Sequence, residues 1–137
     1  MVFALEDIKV VDFGQFVAGP VAARLMADLG AKVIKVEPLE GESLRPQRNS
    51  LDAFTKTFQQ GNAGKRAIAI DLRTEEGVTI IQKLIATADV VSNNFRPGVA
   101  DRLGVGYKDA KRLNSKIIYC SAPGYGSVGP RWDKPGF

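Results

Sequence analysis

Arg73-Thr74, Asn94-Phe95-Arg96-Pro97-Gly98 and Arg102 stand where short apolar runs break, as do Lys65 and Arg66. Cations and turn amides at such breaks are what a ligand carrying several phosphates requires. The run from Asn94 adds an amide, an aromatic face, a guanidinium and a rigid turn, a set suited to a purine or a pantetheine arm. Gly14-Gln15-Phe16-Val17-Ala18-Gly19-Pro20 has glycines near both ends, which lets backbone approach a ligand and aims helix-terminal amides at it. It carries neither the G-x-G-x-x-G spacing of a dinucleotide fingerprint nor the Gly-Lys-Ser/Thr ending of a P-loop. Taken singly, the loop also reads as a tight strand-to-helix turn and each cation as a solvated charge. Their shared placement is what favours binding. Glu37, about 23 residues after Gly14, stands where a dinucleotide-binding protein keeps a ribose-gripping acid, although it also reads as an ordinary strand-end carboxylate.

Other chemistry is excluded by composition. The 137 residues contain no histidine, so no Ser-His or Cys-His pair can form within the chain and the commonest metal ligand is missing; no metal site is expected. Cys120 has no base to activate it, and its apolar strand reads as the setting of a buried structural thiol. Asp12 and Asp71 fall within apolar strands without a paired acid and read as structural. A net charge of +4 with scattered Lys and Arg makes nucleic acid a poor partner. The apolar runs fall short of the roughly 18 residues that span a bilayer. With a single cysteine and no signal-peptide pattern, a cytoplasmic protein is expected.

The elements that must position these residues alternate between strand and helix, the pattern of a doubly wound α/β domain with a Rossmann-like parallel sheet. Strands are expected at residues 8–13, 33–37, 67–72, 90–93 and 116–121. Helices are expected from Pro20 to Leu29, ended by Gly30, and from the Thr74 cap to about Ala88. Short helices follow before Gly104 and at residues 107–113, with a further one at residues 53–58 inside a long polar stretch. In such a sheet ligands bind beyond the carboxyl ends of the strands, where residues 14–20, 73–74 and 94–98 lie. All 137 residues read as one domain without repeat or linker.

Taken together, Asp12-Phe13 through Ala18-Gly19-Pro20, Leu29-Gly30-Ala31-Lys32-Val33-Ile34-Lys35-Val36-Glu37, Gly64-Lys65-Arg66, Asp71-Leu72, Asp89-Val90-Val91 to Asn94-Phe95-Arg96-Pro97-Gly98 and Gly124-Tyr125-Gly126 resemble the family III CoA-transferases. The resemblance runs in order from about Leu5 to Phe137 and covers roughly the first third of such a protein, the N-terminal part of its large domain. It implies transfer of CoA from an acyl-CoA to a small carboxylic acid through an aspartyl anhydride and an aspartyl-CoA thioester, chemistry that needs no histidine. It also implies that the nucleophilic aspartate lies beyond Phe137, so that no catalytic residue stands in this chain and the chain alone is inactive.

By the same resemblance, CoA contacts fall on Val17, Ala18, Leu72, Arg73, Thr74, Asn94, Phe95, Arg96 and Arg102. CoA is then a substrate rather than a resident cofactor, and the complete protein is an interlocked homodimer. Related α-methylacyl-CoA racemases carry Gly-His-Asp where this chain reads Gly136-Phe137, which argues against a racemase. A dehydrogenase domain is disfavoured by the missing glycine fingerprint, and a noncatalytic partner-binding module stands as a further alternative.

Overall fold

A computed structural model describes residues 2–45 and 53–136. Strands β1 (Lys9–Asp12), β2 (Lys32–Glu37), β3 (Arg66–Ala69), β4 (Val90–Asn93) and β5 (Ile118–Ser121) form one sheet in the order β3-β2-β1-β4-β5, parallel throughout. Helices α1 (Ala18–Asp28) and α2 (Ala53–Asn62) pack together, with α1 covering one face. Helices α3 (Glu75–Ala86), α4 (Val99–Arg102) and α5 (Tyr107–Leu113) cover the other.

Side-chain alternation along the strands explains the two layers. Val11, Phe13, Val36 and Val91 point toward α3 and meet Ile81 and Ile85 in the larger core. Val10 and Val33 point the other way and pack with Ala23 of α1 and with Ala31. On this second face the alternation delivers charge at the carboxyl end: the register sets Asp12 beside Lys35 and beside Ser92, and all three are buried.

Five strands are expected and five are present among the described residues, with shifted ends. Helix α1 begins two residues before Pro20, which therefore sits inside the first turn, where its missing N–H costs nothing. Gly30 closes α1 in the left-handed conformation, φ 100°, donating to the Ala27 carbonyl at 2.9 Å. Strand β3 stops at Ala69 because its only neighbour, β2, ends at the paired Glu37; Asp71 therefore follows the strand instead of lying within it. Helix α2 continues to Asn62, beyond the expected end at Phe58. Thr74 caps α3 as expected, its hydroxyl accepting from the Gly77 N–H at 3.1 Å.

Cys120 corrects an expectation: it is exposed rather than buried. Alternation places it with Ile118 on the α1 side of β5, an edge strand that no described helix covers on that side, and Ile118 is likewise exposed. The chain fills β1, β2 and β3 in one direction and then crosses to β4 and β5. Its topological switch point lies at the carboxyl ends of β1 and β4, where ligands bind in open α/β sheets.

Candidate functional site

The loop leaving β1 is held by side chains from three other segments. The Gly14 N–H donates to the Asp12 carboxylate at 2.8 Å, and the Gly14 carbonyl accepts from Lys35 Nζ at 2.6 Å. Asn94, just after β4, uses its amide twice on Gln15, accepting from the backbone N–H at 2.7 Å and donating to the carbonyl at 2.8 Å. The Phe16 N–H donates to Glu42 Oε1 at 2.7 Å. A side chain at Gly14 or Gly19 would run into the other's backbone at 2.8 Å. These glycines therefore let the loop fold onto itself and onto Asn94, in keeping with the tight strand-to-helix turn that is one of its two readings from sequence.

Beneath this loop lie three ion pairs. Lys65 and Asp12 meet at 2.8 Å with both side chains at most 1% exposed, and Lys65 also donates to the Pro20 carbonyl and the Asn62 side chain. Lys35 and Glu42 meet at 2.6 Å, each 1% exposed. Glu37 takes a two-pronged bond from Arg45, whose guanidinium lies 4.2 Å from the Phe58 ring centre. Three cations face three anions; both members of the first two pairs are buried, whereas Arg45 reaches the surface with 39% of its side chain exposed.

Glu37 is thereby occupied and offers no grip for a ribose. Burial alone would push its carboxyl up, but the Arg45 hydrogen bonds, the Glu42 N–H and the nearby cations together hold it below the ordinary carboxylate range. A lowered carboxyl adds stability above the unfolded value, 4.5, that is lost as pH falls through the folded value. Arg45→Met is therefore expected to destabilise the protein at pH 7, with the gap to wild type narrowing as pH falls below about 4.5. Urea midpoints across that range check this, and a gap that is independent of pH would count against it.

Beyond the strands, three adjoining clefts line the carboxyl edge. One of about 700 Å³ opens at the switch point between Gln15, Phe16 and Ala18 on one side and Asn94, Phe95, Arg96 and Pro97 on the other. A second, about 280 Å³, lies between the ends of β2 and β3 and is walled by Phe13, Leu39, Leu72, Arg73 and Phe95. A third, about 670 Å³, runs past Arg73, Thr74 and Arg102. Leu103 belongs to all three, and Phe95 separates the first two while packing against Phe13, ring centres 6.1 Å apart.

Eight of the nine expected contact residues, Ala18, Leu72, Arg73, Thr74, Asn94, Phe95, Arg96 and Arg102, thus line this row of adjoining clefts, a trough along the carboxyl edge. Val17 does not; it faces a separate cleft with Val21, Arg24 and Gly61. The expected ring of cations divides. Lys65 is spent on Asp12, and Arg66 opens β3 at the opposite end of the strand, leaving Arg73, Arg96 and Arg102 at the trough. Arg73 is exposed and bonds both oxygens of Asp71, which holds that carboxyl at about 2. Two further residues of the site are not among those expected: Leu103, whose spacing four residues after Val99 is the available signal, and Lys35, a charge set between the apolar Ile34 and Val36 of β2.

Cations at the rim, with an aromatic and leucines on the walls, can hold an elongated anionic ligand with an apolar portion. No described helix is long and apolar enough to cross a membrane.

The sequence profile described as CoA-transferase family III matches residues 5–137. The chain is 36% identical over 138 residues to (R)-2-hydroxy-4-methylpentanoate CoA-transferase of Clostridioides difficile, covering 97% of this chain and 35% of that protein. It is 39% identical to succinyl-CoA–D-citramalate CoA-transferase of Chloroflexus aurantiacus, over 97% of this chain and 34% of the relative. The crystal structure of a CAIB/BAIF family protein from Brucella suis superposes with a TM-score of 0.91 at 38% identity, covering 100% of this chain and 38% of the other. The chain spans about a third of the length of these relatives. Phe137, on which the argument against a racemase rests, lies outside the described residues.

Proposed function

This chain belongs to CoA-transferase family III, and on that footing we propose that it forms the CoA-binding N-terminal part of an enzyme that passes CoA from an acyl-CoA to a free carboxylic acid. The observation that carries the reading is the row of adjoining clefts with Arg73, Arg96 and Arg102 along it, at the switch point of a family III fold.

CoA brings phosphates, an adenine ring and a long pantetheine arm. The three arginines suit the phosphates, and Leu72, Phe95 and Leu103 offer apolar wall to the ring and the arm. Ala18 contributes backbone near the start of α1. The side-chain amide of Asn94 is committed to Gln15, so its part is to shape the loop.

In the proposed reaction an aspartate carboxylate beyond Phe137 attacks the thioester carbonyl, forming an acyl-aspartyl anhydride and releasing CoA thiolate. The thiolate attacks the aspartyl carbonyl, giving aspartyl-CoA and the first free acid; the second acid repeats the sequence in reverse. The Chloroflexus relative's name includes succinyl-CoA, which makes that thioester a reasonable donor to try first. The complete protein is proposed to be a cytoplasmic homodimer that binds CoA afresh in each cycle.

The test uses the whole protein, succinyl-CoA and a panel of carboxylates. Transfer should occur, and hydroxylamine should trap an aspartyl hydroxamate and stop turnover. Arg102→Ala should raise the KM for acyl-CoA about tenfold, the worth of one charge-assisted hydrogen bond. No transfer to any acid, or no effect of hydroxylamine, would overturn the reading.

A further inference from the structure

Phe16 is the only described non-glycine residue with positive φ, at 60°. The left-handed region disfavours a bulky aromatic residue, and such strain persists only where the surroundings over-determine it. Here the surroundings can be named. The Phe16 N–H is tied to Glu42, Glu42 is tied to Lys35, and Lys35 reaches on to the Gly14 carbonyl, so the buried pair grips the loop two residues apart. Phe16 itself lines the switch-point cleft beside Ala18 and opposite Asn94. Glu42 comes from the segment after β2, outside every contact expected from the sequence.

We infer that Glu42 is a positioning residue: by holding the Phe16 N–H while paired with Lys35, it keeps the β1–α1 loop in the conformation that forms one wall of the CoA trough. The inference rests on the CoA reading above. Glu42 touches no ligand, and its effect passes through the backbone at Phe16. Glycine populates the left-handed region freely, so a glycine at position 16 should make this support largely dispensable.

The experiment measures the Kd of CoA itself by calorimetry on the whole protein, as wild type, Glu42→Gln, Phe16→Gly and the double variant, with thermal midpoints alongside. Glu42→Gln should weaken CoA about tenfold in the Phe16 background and less than about twofold in the Phe16→Gly background, the non-additivity expected of coupled residues. If Glu42→Gln leaves too little folded protein, Lys35→Met with Glu42→Gln removes the orphaned buried cation and the same comparison is made on that pair. Equal weakening in both backgrounds, or unchanged Kd throughout, overturns the inference, as does a wild type that binds no CoA. A wild type that binds CoA but transfers none overturns the transferase reading while the Kd comparison still decides the role of Glu42.

Discussion

Lys65→Met should cost about 3–5 kcal/mol of folding stability, the penalty for stranding one member of a buried ion pair. Lys65 and Asp12 are both essentially inaccessible, and Lys65 also satisfies the Pro20 carbonyl and the Asn62 side chain. After the substitution Asp12 keeps only the Gly14 N–H at 2.8 Å and the Ser92 hydroxyl at 3.0 Å. The burial that makes the loss severe also lowers the Lys65 pKa, with the Asp12 charge opposing it. Pairing Lys65→Met with Asp12→Asn should recover part of the loss, because no uncompensated charge then remains. Urea unfolding of the two variants checks both statements. A single variant within about 1 kcal/mol of wild type would show that the pair contributes like a surface contact.

Gly77→Ala should destabilise by about 3 kcal/mol, although in an ordinary helix the same change gains about 1 kcal/mol. Gly77 lies in the first turn of α3, and a Cβ there would sit 2.0 Å from the Asp71 carbonyl oxygen. That oxygen is backbone and accepts from both the N–H and the hydroxyl of Thr74, so it cannot turn aside. To reach even 3.0 Å the two segments must part by about 1 Å, moving the start of α3 away from the Asp71-Leu72-Arg73 corner. Leu72, Arg73 and Thr74 line the trough, so CoA binding by the whole protein should weaken along with the thermal midpoint. A raised midpoint, the ordinary helix response, would refute the packing argument.

The α/β alternation, the five strands and the Thr74 and Gly30 caps were all legible in the chain. Each rests on a local rule: period-two and period-3.6 patterning, cap chemistry, or the freedom of glycine at positive φ. Strand ends were less legible because pairing decides them. Ile70-Asp71-Leu72 continues an apolar run, yet β3 stops where β2 no longer offers a partner. Cys120 was misplaced for a related reason: an apolar strand reads as buried, but burial depends on what covers it, and β5 is an edge with one side uncovered by any described helix.

The residue types of the candidate site, and their position after strands, followed from the sequence alone. So did the resemblance to a family, because motifs are ordered strings and need no fold to be seen. What only the tertiary structure decided is which charges are free to meet a ligand. Lys65 and Arg73 look alike in the chain, and both are paired, but a 53-residue separation is closed to bury Lys65 on Asp12, while Arg73 bonds the nearby Asp71 and stays accessible at the rim. Lys35, Glu42 and Asn94 are likewise assigned to holding the loop by contacts that span 21, 26 and 79 residues of chain, while Glu37 is taken up by Arg45 and the Glu42 N–H. Local chemistry names the groups available; desolvation and pairing, which arise only when distant segments meet, determine which of them build the site and which face its ligand.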